Sequence, residues 1–210
     1  MSVSTSLAET RILISNVAWS AYDALVKGVD SAGTRFTYDR GFLEIMSPSR
    51  EHERIKRLLG RMVEMLTLER KIPIGSGGST TLNSELQQRG LEPDECYFIA
   101  HEPQMRGRDD YDPAVDPPPD LAIEVDLSRS SIDKRPLYAD LGVPEIWTFE
   151  EDRLEFYRLL PSGLYQPFER SLAFPFLASA DLQRFLDERH GAEETDWTRR
   201  FCDWVREIPG

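Results

Sequence analysis

The run PPPDLAIEVDLSRSSIDK, Pro117 to Lys134, sets Asp120, Glu124 and Asp126 inside what otherwise reads as an aliphatic strand. Alternate residues of a strand share a face. Leu121, Ile123, Val125 and Leu127 therefore fall on one side, and Asp120, Ala122, Glu124 and Asp126 on the other. At the strand rise of about 3.3 Å per residue, Asp120 and Glu124 stand about 13 Å apart at their Cα atoms, too far to grip one ion. Glu124 and Asp126 are only about 6.6 Å apart on the same reasoning, so their side chains can converge. If LEPDECYFIA pairs with DLAIEVDL, Asp94 projects beside Glu124 from about 4.8 Å away. Carboxylates crowded in this way repel unless one is protonated or a cation bridges them. A set of ligands made of oxygen alone suits Mg²⁺ or Mn²⁺ rather than zinc.

Two other readings fit the same residues. One is a half-exposed strand whose solvent face is simply acidic. The other is a glycosidase pair, which needs carboxyl groups about 5 to 9.5 Å apart. Glu124 with Asp126 meets that spacing loosely, but no sugar-stacking aromatics neighbour the strand.

Lys134 follows the strand after the short loop SRSSID and stands at or before a helix, RPLYADLG. If that helix packs back on the sheet, the lysine comes over the strand's carboxyl end. An amine there orients water or offsets charge developing on phosphorus. The alternative is an exposed lysine in a basic DKRP turn. Pro136 prevents the helix from starting much before Arg135, so Lys134 lies at its edge or in the loop.

The elements that must position these groups can be read in order. ISNVAWSAYDALVKG has helical spacing, with Ser20 as a cap. RFTYDRGFLEIMS reads as a hairpin turning at Asp39-Arg40-Gly41, where glycine supplies the positive φ. SPSREHERIKRLLGRMVEMLTLER is the clearest helix, capped by Ser47 or Ser49 with Pro48 in its first turn. Its stripe Ile55, Leu58, Leu59, Met62, Val63 and Leu66 faces inward, and His52 lies on the same face. KIPIGSGGSTTLNSE is a Gly-rich loop and an edge strand that lacks the phosphate-loop spacing. LEPDECYFIA is one strand with Pro93 near its start, HEPQMRGRDDYDPAVDPPP a loop, and Gly142 the stop of the short helix.

Three strands follow within residues 144–169, turning at Pro161-Ser162-Gly163, and two helices close the chain. Trp197, Phe201, Trp204, Val205 and Ile208 form a stripe at helical spacing that serves as core or as the seam of a homodimer. The order predicts a mixed α/β sheet with the long helix on one face.

Net charge is −12 over 210 residues, which argues against holding nucleic acid by bulk electrostatics. The charge is uneven: Arg50 to Lys71 carries seven Lys/Arg against four Glu, and Arg54 and Arg57 there are candidate contacts for a phosphate backbone. Cys96 and Cys202 have no metal-ligand spacing, which predicts reduced thiols. MSVSTSLAETR lacks a basic-then-apolar leader, and no stretch reaches the roughly 18 apolar residues of a membrane span. The expectation is a cytoplasmic protein with no membrane partner.

As a set, four fragments resemble the putative restriction endonuclease family of the PD-(D/E)XK nuclease superfamily. They are RFTYDRGFLEIMSPSREHERI, GLEPDECYFI, PPPDLAIEVDLSRSSIDK and LYADLGVPEIWTF, spanning roughly Arg35 to Glu150. The most specific feature is a lysine four residues before a tyrosine leading into Gly-Val-x-Glu-x-Trp, here Lys134, Tyr138, Gly142, Val143, Glu145 and Trp147.

The resemblance implies a restriction-endonuclease-like mixed β-sheet core flanked by helices, with an N-terminal hairpin and C-terminal helices. One domain is expected over residues 1–210, with its core at 35–150 and a hairpin and helical extension at 151–210. It implies a Mg²⁺- or Mn²⁺-dependent endonuclease acting on DNA. The metal ligands would be Asp94 and Glu124, with Asp126 alongside. Asp126 occupies the position of the usual lysine, so the amine role passes to Lys134; His52 is a catalytic helper and Asp120 an outer or alternative acid. The rival is a nuclease-like fold without catalysis, kept for binding or assembly.

Overall fold

The computed structural model describes residues 9–29 and 33–209, so the N-terminal residues read above for a leader lie, up to residue 8, outside them. Strand β1 (Thr10–Ile14) leads to helix α1 (Trp19–Gly28), then to the hairpin β2 (Arg35–Asp39) and β3 (Phe42–Ser47). Arg40 and Gly41 turn this hairpin with φ of 47° and 94°. Helix α2 (Arg50–Arg70) begins where the Ser49 hydroxyl accepts from the His52 amide at 3.2 Å, and ends at Lys71 in the left-handed region. Short strands β4 (Gly75–Ser76), β5 (Leu82–Ser84), β6 (Arg89–Leu91) and β7 (Glu95–Phe98) follow, then a single-turn helix, α3 (Glu102–Met105). Strand β8 (Leu121–Asp126), helix α4 (Arg135–Asp140), strands β9 (Glu145–Glu150), β10 (Arg153–Leu159) and β11 (Tyr165–Phe168), and helices α5 (Ser179–Asp187) and α6 (Glu194–Glu207) complete the order.

These strands form two sheets. One is mixed, in the order β11-β10-β9-β8-β7-β4, with β8 and β9 parallel; the other is antiparallel, in the order β1-β3-β2-β6-β5. The mixed core flanked by helices agrees with the expected class, but the N-terminal hairpin belongs to a second sheet. LEPDECYFIA is not one strand. Its two ends pair in different sheets, and Glu92-Pro93-Asp94 carries the chain between them. Proline donates no amide to a ladder, so a crossing is favoured there.

Three local expectations are also revised. Ala18, not Ser20, caps α1; Pro48 precedes the cap of α2 rather than entering its first turn; and the 101–119 loop contains α3.

Strand β8 divides the molecule. Its odd residues Leu121, Ile123 and Val125 pack with Ile55, Leu59 and Met62 of α2 and with Trp147 and Phe149 of β9, all nearly excluded from solvent. Trp197, Phe201 and Val205 of the aromatic stripe join this same core beside α2 and α5, while Trp204 and Ile208 are partly buried. Ala122 belongs to the opposite side, with Cys96, Leu137, Tyr138 and Ile146.

Leu59→Ala should cost about 2 to 5 kcal/mol of unfolding free energy in urea. Leu68→Ala, at a side chain 67% exposed, should stay within about 0.5 kcal/mol. Equal losses would disprove this placement of the helix faces.

Candidate active site

Asp94 is stitched to β8 on both sides of Glu124. Its amide donates to the Ile123 carbonyl at 3.1 Å, and its carboxylate accepts from the Val125 amide at 2.8 Å. The proximity expected of Asp94 and Glu124 is therefore present. Both are buried, at 1% and 3% exposure. Glu124 accepts from the Lys134 ammonium at 2.6 Å and from the Tyr138 hydroxyl.

Lys134 is the N-cap residue of α4, and its carbonyl accepts from the amides of Leu137 and Tyr138. The loop before it is pinned where Ser130 Oγ and the Ser131 amide donate to Glu44, at 2.8 and 2.6 Å. These bonds aim the lysine inward despite Pro136. Its ammonium also lies 3.4 Å from Asp126.

Behind this pair stands a chain of buried ions. His52 is held between Glu9 at 2.6 Å (Nδ1 to Oε1) and Asp94 at 2.8 Å (Nε2 to Oδ1). Arg11 donates to Glu44 at 2.7 Å, to Asp126 at 2.6 Å, to Ser128 at 3.0 Å and to Glu9 at 3.2 Å. Arg35 lies alongside, with Nε 3.6 Å from Asp94 and Nη2 4.0 Å from Glu53.

The electrostatics follow from burial and these partners. Burial pushes the Glu124 carboxyl up to about 7; the charges of Asp94 and Asp126 add to this, and Lys134 opposes it. Burial works against the Lys134 ammonium, yet Asp126, Glu124 and Asp94 outweigh it and hold the lysine charged. Burial likewise disfavours imidazolium at His52, but bonds to Asp94 and Glu9 raise it to about 9. Asp94 is held below its ordinary range: burial alone would raise it, and His52, Lys134 and the Val125 amide reverse that.

A cleft of about 850 Å³ opens over the even face of β8, with Glu124, Asp126, Lys134 and Tyr138 among its lining. Its other charged residues are Arg129, Asp133, Arg135, Glu150 and Glu151. A second hollow of about 880 Å³, beside Trp19, Tyr38 and Arg40, has no carboxylate in its lining.

Not every expected residue comes to the cleft. His52 and Asp94 lie behind its floor. Asp120 is spent on the amides of Ile99 and His101, at 2.6 and 2.9 Å. Arg54 donates to the Arg189 carbonyl and, like Arg57, does not line the cleft; α2 packs on the other face of the sheet, which explains why.

Glu9, Arg11 and Glu44 escaped the sequence reading, and Tyr138 appeared there without a role. Glu44 carried a usable signal, since a carboxylate inside FLEIMS is as anomalous as Glu124 in LAIEVD. Glu9 and Arg11 carried none, because only the pairing of β1 with β3 brings them in.

The carboxylate oxygens of Asp94 and Glu124 are donors of the kind a hard divalent cation takes, and each of them is engaged here by a protein group: His52 and the Val125 amide at Asp94, Lys134 and Tyr138 at Glu124. Among the described residues no three His, Cys, Asp or Glu side chains converge to hold a metal. Mg²⁺ nevertheless commonly takes one or two carboxylates, with water and phosphate completing its shell.

A mixed sheet flanked by helices on both sides of β8 places the chain among mixed α/β proteins. The chain belongs to the Uma2 family, described as "Putative restriction endonuclease", whose model matches residues 19–189. Its fold is similar to that of a crystal structure described as a putative nuclease belonging to DUF820 from Anabaena variabilis ATCC 29413. The two share 17% identity with a TM-score of 0.53, over 80% of this chain and 98% of the other. No curated protein matches the chain.

Glu9 gives a pH prediction. Burial would raise its carboxyl, but bonds to His52 and Ser128 and the charges of His52 and Arg11 lower it from 4.5 to about 2. The resulting stability is complete above pH 4.5 and is lost as pH falls through about 2. It amounts to at most about 3.4 kcal/mol. Glu9→Gln should flatten that acid limb in urea titrations; an unchanged slope would contradict the pairing.

Proposed function

We propose that the protein is a metal-dependent endonuclease that hydrolyses phosphodiester bonds in DNA. The observation that carries this reading is the pair Asp94 and Glu124: Asp94, just before β7 and behind the cleft floor, is stitched to β8 beside Glu124, which lines the cleft with the Lys134 ammonium 2.6 Å away. The family assignment supports the same reaction class.

A cation of the Mg²⁺ or Mn²⁺ kind, held by Asp94 and Glu124, would polarise a phosphoryl oxygen and lower the pKa of water. The chain's own groups do the rest. Lys134 offers N–H donors and positive charge where negative charge develops on phosphate oxygens. Tyr138, kept as a phenol by burial and by neighbouring Glu124, orients Glu124 through its hydroxyl. His52 holds Asp94 from behind and so acts as a positioning residue. Asp126 is taken up by Arg11 and stands beside the ligand pair. Arg129 and Arg135, at the exposed edge of the cleft, replace Arg54 and Arg57 as the cations that meet the nucleic-acid backbone.

The cleft is lined by five carboxylates (Glu124, Asp126, Asp133, Glu150, Glu151) against three cations (Arg129, Lys134, Arg135). Phosphates would be repelled without a divalent ion, so binding should depend on metal as well as chemistry. The same excess of acid favours the alternative, an inactive nuclease-like module for binding or assembly.

Cleavage of plasmid, linear duplex and single-stranded DNA separates the two. Activity should require Mg²⁺ or Mn²⁺, vanish with a chelator, and fall about a hundredfold or more in Glu124→Gln and in Asp94→Asn. Mn²⁺ at about 100 times its dissociation constant should stabilise the wild type by about 2.7 kcal/mol and leave Glu124→Gln unmoved. Full activity in both variants would end the proposal.

A further inference from the structure

Arg11 precedes the matched residues 19–189 and has no part in the reaction as derived above, yet its guanidinium is the most heavily engaged cation of the site. Its side chain is 9% exposed. Nη1 meets Glu44, Nε meets Ser128, and Nη2 is shared between Glu9 at 3.2 Å and Asp126 at 2.6 Å.

The atom that decides the matter is Asp126 Oδ1. Arg11 Nη2 lies 2.6 Å from it and Lys134 Nζ 3.4 Å from it, while the same Nζ lies 2.6 Å from Glu124 Oε2. Two cations thus contend for one carboxylate oxygen, and the arginine holds it at the shorter distance. A planar fork with fixed N–H directions can span Glu44, Ser128 and Asp126 together; a point charge on a flexible stem cannot.

We propose that Arg11 is a positioning residue: by occupying Asp126 it reserves the Lys134 ammonium for Glu124 and for the substrate phosphate beside it. Position 126, where the family resemblance would have placed a lysine, holds an acid that would otherwise draw the working amine aside. Strand β1 therefore supplies part of the site's charge balance from outside the family-matched segment. Serine 128 and Glu44 tie the same guanidinium to the loop that leads to Lys134, so the arginine fixes both the amine's competitor and its approach.

The proposal rests on the endonuclease reading only for its activity readout, and the test keeps the two apart. In a crystal structure of Arg11→Met, Lys134 Nζ should lie nearer Asp126 than Glu124. In Arg11→Met with Asp126→Asn it should return to Glu124. Metal-dependent cleavage should fall about a hundredfold in the single variant, the cost of an ångström-scale misplacement, and recover at least about tenfold of that in the double variant. The melting temperature should drop in Arg11→Met and stay low in the double variant, because Glu9 and Glu44 still lack the guanidinium charge of Arg11.

A purely structural arginine would give activity that follows the melting temperature, with Lys134 unmoved; that result overturns the proposal. Should Arg11→Met fail to fold, Arg11→Gln keeps a donor for Ser128 and removes the charge, and the same displacement of Lys134 is expected. If the wild type cleaves nothing, the endonuclease reading fails, while the position of Lys134 in the variant still decides the role of Arg11.

Discussion

Carboxylates cannot remain in a protein interior uncompensated, and this molecule buries Glu9, Glu44, Asp94 and Glu124 almost completely. Leaving one of them without its partner costs on the order of 3 to 5 kcal/mol. Much of the architecture around the cleft answers that constraint. Arg11, His52 and Lys134 come from β1, from the first turn of α2 and from the cap of α4, three elements remote in sequence. Loop residues 128–131 contribute hydroxyls and amides to the same acids. The compensation is nearly complete, and Glu124 is where it falls short: burial and two like charges lift its carboxyl to about 7 even with Lys134 in contact. A site under such tension gains from any further positive charge that reaches it.

The two sheets share this task. The mixed sheet provides Glu124 and Asp126, the antiparallel sheet provides Arg11 and Glu44, and Asp94 sits where the chain passes from one to the other. The groups meet because apolar packing has already fixed the supports. Helix α2 is anchored by Ile55, Leu59 and Met62, and its first turn then presents His52 to Asp94. Helix α4 is anchored by Leu137 and Tyr138, and its cap then presents Lys134.

What could be read from the sequence was what depends on short-range periodicity. The alternation of LAIEVD, the inward stripe of α2 with His52 upon it, the Asp39–Gly41 turn and the place of Lys134 beside the strand all follow from spacings of a few residues. Asp94 was reachable because one assumed pairing, β7 with β8, was enough to set it near Glu124. What stayed hidden depends on pairings across long separations: Arg11 meets Asp126 over 115 residues, and Glu9 meets His52 over 43. The basic side chains of α2 were read toward the nucleic acid because a helical pattern shows which residues are exposed but not which face of a sheet the helix covers. The division into two sheets was missed because LEPDECYFIA is continuous as a pattern, and only the change of partners at Pro93 breaks it.

The alternation along β8 has one more effect. A slip of one residue against β7 or β9 would turn Glu124 and Asp126 into the aliphatic layer with Ile55 and Leu59, and turn Ile123 and Val125 out to the water of the cleft. Both errors are heavily penalised, the first by stripping ions of solvent. The acids thus guard the alignment of the strand that carries them, and the chain cannot reach a well-packed misfold that keeps a greasy, inert version of this face.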